Sequence, residues 1–231
     1  MTSENHSARR INALAKRLDA KTYLEIGVAR GVTFLGVRIQ DKTGVDPKFL
    51  LQPERHRKPC IQLIEATSDE FFETCPRSVK FDIVFIDGLH TAEQTIRDFL
   101  GSVVHSHDRT VWVIDDTLPC DAHSALPTQA EAVDARARAG GHGQMWHGDV
   151  FKVPLLIRHL LPEFCYVTAS TGGNPQTMVW RGQRDSQDRG LSREQIMGMT
   201  YPDFLRVQEQ LNLVTEEAAI EIVCEALCAS A

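Results

Sequence analysis

Apolar residues along the chain fall into short continuous runs, separated by stretches where apolar and polar positions recur at helical spacing. Residues 9–18 place Ile11, Leu14, Ala15 and Leu18 on one face, which predicts a helix. A short buried strand is expected over 22–26, stopped by Gly27. The pattern predicts a helix over 32–39, a second strand over 44–47 that reaches Asp46, and a third strand over 61–65. A helix follows over 69–74, with Ser68 or Asp69 as its cap. Phe81-Asp82-Ile83-Val84-Phe85-Ile86-Asp87 is a β-branched and aromatic strand run, and 110–114 is another, ending in Asp115-Asp116; an amphipathic helix over 91–104 separates them. Further along, the polar stretch 121–143 holds a helix over 129–139, and 149–161 reads as a helix stopped near Pro162. Strands over 165–170 and 177–181 are joined by the turn Gly172-Gly173-Asn174-Pro175. A polar linker over 185–190 precedes two amphipathic helices, over 201–211 and 216–229.

Continuous apolar strands alternating with helices predict an α/β fold with a parallel sheet buried on both faces. The expected architecture is a Rossmann-like, doubly wound sheet, mostly parallel with an antiparallel last strand, and helices on both faces. The domain would span residues 1–184, and 185–231 would form a helical C-terminal extension serving as a lid or a contact between copies. In open α/β sheets, ligands bind outside the carboxyl ends of the strands. Glu25, Asp46, Asp87, Asp115 and Asp116 all fall at those ends. Gathered carboxylates repel one another, so this edge calls for cationic or hydrogen-bonding partners.

Composition narrows the class. With 231 residues, 42% hydrophobic and 24% charged, the chain is an ordinary globular one. A net charge of −6 argues against a general nucleic-acid-binding face. No apolar run approaches the ~18 residues of a membrane span, and 1–10 lack the apolar stretch of a secretory signal. The six cysteines, none in a CxxC pair, are expected to be reduced thiols of a cytoplasmic protein.

Glu25-Ile-Gly27-Val-Ala29-Arg-Gly31-Val-Thr33 joins the first strand to its helix. A dinucleotide fingerprint would need glycine where Ala29 and Val32 stand, which disfavours a Rossmann oxidoreductase, and no P-loop Gly-Lys-Ser/Thr follows. The segment resembles motif I of the class I S-adenosylmethionine (SAM) methyltransferases. Asp46, 19 residues beyond Gly27, would then accept both ribose hydroxyls; alone, an Asp before Pro47 is more often a turn residue. In SAM enzymes, the place occupied by Ser68 and Asp69 lies beside the adenine.

The string Ile86-Asp-Gly-Leu-His-Thr-Ala-Glu-Gln-Thr-Ile-Arg-Asp-Phe99, with Gly148-Asp149-Val150-Phe151-Lys152 further on, resembles a bacterial methyltransferase family that includes the macrocin- and mycinamicin-type sugar O-methyltransferases. The likeness covers roughly residues 23–181. It implies Glu25, Gly27, Ala29, Gly31, Asp46, Ser68, Asp69 and Asp87 as cofactor-binding residues, and Asp87 and His90 as the catalytic pair. Asp87, Asp115 and Asp116 offer hard oxygen ligands suited to Mg²⁺ or another divalent cation, which would acidify a substrate hydroxyl. His90 would take the hydroxyl proton, the role the resemblance gives it. The other candidate histidines, His105, His107, His123, His142 and His147, are expected as solvated loop residues.

The implied activity is O-methylation of a hydroxyl on a sugar or glycosylated natural product, in natural product biosynthesis, with a small-molecule acceptor and neither nucleic acid nor membrane as partner. A metal-independent small-molecule methyltransferase of the same fold, and a SAM-binding scaffold without catalysis, are the competing expectations.

Overall fold

The computed structural model describes residues 5–185 and 190–228. The chain begins with α1 (His6–Leu18), whose N-cap Asn5 accepts the Ala8 N–H, and which leaves Ile11 and Leu14 wholly buried. Then come β1 (Thr22–Ile26), α2 (Val32–Gly36), β2 (Asp41–Asp46), β3 (Ile61–Glu65), α3 (Ser68–Thr74), β4 (Ile83–Ile86), α4 (Ala92–Val103) and β5 (Val111–Ile114). After α5 (Gln129–Arg138) and α6 (Lys152–Leu160) come the hairpin strands β6 (Phe164–Ala169) and β7 (Gln176–Arg181). The tail holds α7 (Arg193–Met197), α8 (Tyr201–Leu205), the two-residue β8 (Leu213–Val214) and α9 (Glu216–Cys228).

Among the described residues the sheet has eight strands, in the order β3-β2-β1-β4-β5-β7-β6-β8. Neighbours from β3 to β5 are parallel, and β7 runs antiparallel to both β5 and β6. This is the expected α/β sheet, with the turn at 172–175 reversing the chain. Alternation along each strand builds two cores. Tyr23, Phe85 and Val113 face α1, α2 and α9, whereas Leu24, Val84 and Trp112 face α3, α4 and α6. Strand order reverses between β1 and β4, which opens a crevice at their carboxyl ends.

Several boundaries differ from the pattern. The helix expected from 149 begins at Lys152, which puts Pro154 in the first turn, where its missing N–H costs nothing. The helix expected over 32–39 ends at Gly36, because Val37 turns to extended backbone. The cap of α3 is Thr67, in a capping box with Glu70, and not Ser68 or Asp69. The 201–211 helix breaks after α8 into a 3-10 turn, Gln208–Leu211, and left-handed Asn212 then swings Leu213 and Val214 into parallel pairing with β6. Neither β8 nor α7 carried a legible period. Most of the expected linker, 186–189, lies outside the described residues, as does Ala229.

The tail packs in two places. Ile196 and Phe204 join Phe151 and Leu155 in a third apolar cluster over α6. Ala219, Ile220 and Val223 of α9 are buried in the core beside α1. Among the described residues no helix is long and apolar enough to cross a membrane, and all six cysteines are free thiols.

Candidate active site

A cleft of about 860 Å³ lies over the carboxyl ends of β1, β2 and β4. The turn after β1 forms its floor. Gly27, at φ +89°, sits so close to the end of β4 that a Cβ would collide with the Asp87 carbonyl. Ala29 and Gly31 also have positive φ, and Gly31 N–H closes the turn on the Val28 carbonyl at 2.7 Å. The segment therefore needs glycine for close backbone approach, as well as for conformational freedom. Glu25, Gly27, Ala29, Asp46, Ser68, Asp69, Asp87, His90 and Asp115 all line this one cleft.

Asp46 fixes the turn. Its Oδ2 accepts the Ala29 N–H at 2.8 Å and its Oδ1 accepts the Lys48 N–H at 2.7 Å. Each oxygen keeps a further lone pair for a ligand. Glu25 lies deeper, accepting the Tyr23 hydroxyl at 2.5 Å, and burial pushes its carboxyl up to about 8. At the far end, Ser68 Oγ donates to Asp98 Oδ1 at 2.6 Å, and Gln94 Nε2 donates to the same oxygen at 2.8 Å. Asp98 is 1% exposed, and burial raises its pKa.

The opposite end gathers the titratable groups. Asp87, His90 and Asp116 each offer a ligand atom within 4.8 Å of the others. His90 Nδ1 is 2.6 Å from Asp116 Oδ2, and its Nε2 is 3.6 Å from Asp87 Oδ1. Asp115 is outside that group. Its Oδ1 accepts the Asp116 N–H at 2.9 Å and the Asn174 Nδ2–H at 2.6 Å. Burial, followed by the charges of Asp115 and Asp116, holds the Asp87 carboxyl well above the carboxylate range. Burial and Asp116 push Asp115 up to about 7. Asp116 is pulled the other way: burial opposes its charge, but the His90 hydrogen bond wins and lowers its pKa. Burial likewise depresses the His90 imidazole, yet Asp116 outweighs it and the net shift is upward. With all three carboxyls ionised, their charge would exceed that of His90. That imbalance, and three ligand atoms converging from two loops, fit a bound cation.

Four residues that complete this end were not singled out as site residues in the sequence. Trp146 stacks on the His90 ring, with centroids 4.8 Å apart and planes at 10°, and its own Nε1–H donates to the Leu126 carbonyl at 2.7 Å. Gly148, at φ +61°, leaves no room for a Cβ against the His90 carbonyl, so two loops touch there. Asp149 accepts the Ala92 N–H at 2.6 Å, pinning the start of α4 just after His90. Asn174 donates to Asp115 Oδ1 and Asp116 Oδ1, both at 2.6 Å. The hairpin signal located Asn174 in a turn but said nothing of where that turn points. The histidines need correction too: His105 and His147 are buried, not solvated. His147 Nε2 meets Asn174 Oδ1 at 3.1 Å and lies 3.8 Å from Asp116.

Residues 24–117 match a family described as a methyltransferase domain. No curated protein matches the chain by sequence. Solved structures do. A Klebsiella pneumoniae protein assigned as an O-methyltransferase superposes with a TM-score of 0.58 at 16% identity, over 79% of this chain and 82% of its own. The O-methyltransferase from Bacillus cereus, solved with S-adenosylhomocysteine (SAH), gives 0.55 at 13% identity, over 78% and 84%. TomG from Streptomyces achromogenes, an O-methyltransferase of tomaymycin synthesis solved with SAM, gives 0.54 at 14%, over 75% and 78%. The fold is the one these O-methyltransferase structures share.

Proposed function

We propose that the chain is a SAM-dependent O-methyltransferase that acts, with a divalent cation such as Mg²⁺, on a hydroxyl of a sugar or glycosylated natural product. One observation carries the reading: a single cleft is lined by Gly27, Ala29 and Asp46 and also by Asp87 and His90, the two residues that meet Asp116. The first part suits a nucleoside and the second suits proton removal. The free lone pairs of Asp46 take the ribose hydroxyls, and Ser68 and Asp69 border the adenine. In the transfer, the acceptor oxygen bonds to the methyl carbon as the carbon–sulfur bond breaks, and the hydroxyl proton passes to a base.

His90 is that base. Asp116 holds its Nδ1, which leaves Nε2 to receive the proton and keeps the ring in one tautomer. The Trp146 stack restricts the ring further. Asp87 and Asp116, with Asp115 beside them, would hold the cation next to the free His90 Nε2, and it would lower the pKa of an acceptor hydroxyl when bound.

A second reading has its own support. The His90–Asp116 contact forms a base-and-orienter pair without any cation, as a metal-independent methyltransferase of the same fold would need.

The test is a thermal-shift series followed by transfer of labelled methyl from SAM to an acceptor panel. SAM and SAH should raise Tm and NAD should not. Absence of stabilisation by SAM overturns the assignment. Retention of full transfer after chelation selects the metal-independent reading.

A further inference from the structure

We infer that Arg10 and Glu216, one near each end of the described chain, are positioning residues that set the Asp115 and Asp116 carboxylates through Asn174. Arg10 lies on α1, is wholly buried, and uses each guanidinium nitrogen. Its Nη1 donates to the Asn174 carbonyl at 2.5 Å and to Gln176 Oε1 at 2.9 Å, and its Nη2 donates to the Thr171 carbonyl at 2.6 Å. Its Nε donates to Glu216 Oε2 at 2.7 Å, at the first residue of α9. Arg9 reaches the same carboxylate and the Gly172 carbonyl. The turn between β6 and β7 is thus gripped by three of its carbonyls.

Asn174 sits on that turn and points into the site. Its Nδ2 bridges Asp115 and Asp116, and its Oδ1 faces His147. Asp116 adopts φ +60°, a conformation that a non-glycine residue holds only when its surroundings fix it. Two buried carboxylates side by side would otherwise separate. The amide fork opposes that separation, and the fork can be no better placed than the turn that bears it. A guanidinium is suited to the task, since its planar array of donors fixes several acceptors at once.

The N-cap and first residues of α1 carry the same connection outward, because Asn5, His6 and Ser7 line the cleft. Arg10 therefore links one wall of the proposed cofactor cleft to the carboxylate pair. Glu216 ties both to α9, which gives the tail a part in the site. The inference rests on the proposed function for the meaning of the site, but the geometry it concerns can be tested apart from that function.

The experiment is a double-mutant cycle on Arg10→Met and Asn174→Ala, read by NMR of selectively ¹³C-labelled histidine in the ligand-free protein. The His90 and His147 ring signals report the carboxylate pair directly, whereas His107, bound to Asp82 at 2.8 Å, serves as a distant control. Arg10→Met should displace the His90 and His147 signals as Asn174→Ala does, the double variant should go no further, and His107 should not move. Where the protein holds Mn²⁺, its affinity should fall about tenfold in either variant, the usual effect of removing a ligand's partner. Glu216→Gln should give a smaller displacement in the same direction. Wild-type His90 and His147 signals in Arg10→Met, or displacements that add in the double variant, overturn the inference. If Arg10→Met does not fold, Arg10→Lys takes its place in the cycle with the same criteria. SAH titration of the wild type tests the methyltransferase reading alone, so the two failures are distinguishable.

Discussion

His90 Nδ1 lies 2.6 Å from Asp116 Oδ2, and that contact governs which way the imidazole titrates. Burial alone would lower its pKa, but Asp116 overcomes burial and raises it above the ordinary value of 6.5. The neutral base form therefore fills at higher pH than in a free histidine. In Asp116→Asn the two largest raising causes are gone, while burial remains opposed only by the Trp146 carbonyl and the Asp115 charge, so the midpoint should fall. Histidine NMR titration of the cation-free protein checks this, and an unchanged or higher midpoint in the variant contradicts it.

Removal of the base should be costly. His90→Ala should lower kcat by roughly 10²–10⁴-fold, the usual scale for a general base. SAH affinity should barely change, since the cofactor-side contacts come from the loops after β1, β2 and β3. Measuring kcat, SAH affinity and Tm on one preparation separates chemistry from folding. A stable, fully active variant rules out the base role and leaves the methyltransferase assignment standing.

Asp46 holds the turn and, in the proposed complex, the ribose. Asp46→Ala should weaken SAM binding by on the order of 2 kcal/mol through loss of charge-assisted bonds. It should also lower Tm, because the Ala29 and Lys48 N–H groups lose their acceptor. Asp46→Asn keeps one acceptor oxygen, so its Tm should be less affected than its affinity. Calorimetric titration showing wild-type affinity in both variants would sink the ribose contact.

The cation site distinguishes the three aspartates. Asp87 and Asp116 join His90 in the compact group, whereas Asp115 lies outside it. Asp87→Ala and Asp116→Ala should each lower Mn²⁺ affinity more than Asp115→Ala does, with SAH binding retained in all three. Titration followed by electron paramagnetic resonance decides it. Equal losses would place Asp115 among the ligands, and no binding in the wild type would favour the metal-independent reading.

The legibility of this molecule follows the range of the forces involved. β1 matches its expected bounds because a strand buried on both faces needs a near-continuous apolar run, and such runs are local in sequence; β3, an edge strand with only Leu63 buried, matches its bounds without that signal. The carboxylates at the strand ends were legible for the same reason, since a parallel sheet puts successive carboxyl ends on one edge. Asn174, Trp146 and Gly148 were not, because their roles depend on where loops distant in sequence are folded back. Asn174 reaches Asp115 across 59 positions, and His90 meets Trp146 across 56. Nor does any periodicity mark Arg10 as the anchor of a turn more than 160 residues away.

Glu25 gives a prediction about the whole fold. Its carboxyl has an ordinary pKa of 4.5 and titrates at about 8 in the folded protein, chiefly because burial penalises its charge. Below about 4.5 both folded and unfolded chains carry the proton, and the group has no effect on the balance. Between 4.5 and 8 the unfolded chain releases the proton and the folded one keeps it. Fewer protons bound in the unfolded state means that stability falls as pH rises through this window. Glu25→Gln retains an oxygen for the Tyr23 hydroxyl and has no proton to lose, so it removes that slope. Denaturant unfolding of ligand-free protein at pH 5, 6.5 and 8 should show the variant gaining on the wild type as pH rises, by up to a few kcal/mol. Asp115 and Asp87 titrate high as well and will leave a residual slope in both proteins, so the difference between them is the informative quantity. A difference that stays constant across the three pH values would show that Glu25 is already ionised in the folded chain, and that the carboxyl is balanced by a positive group.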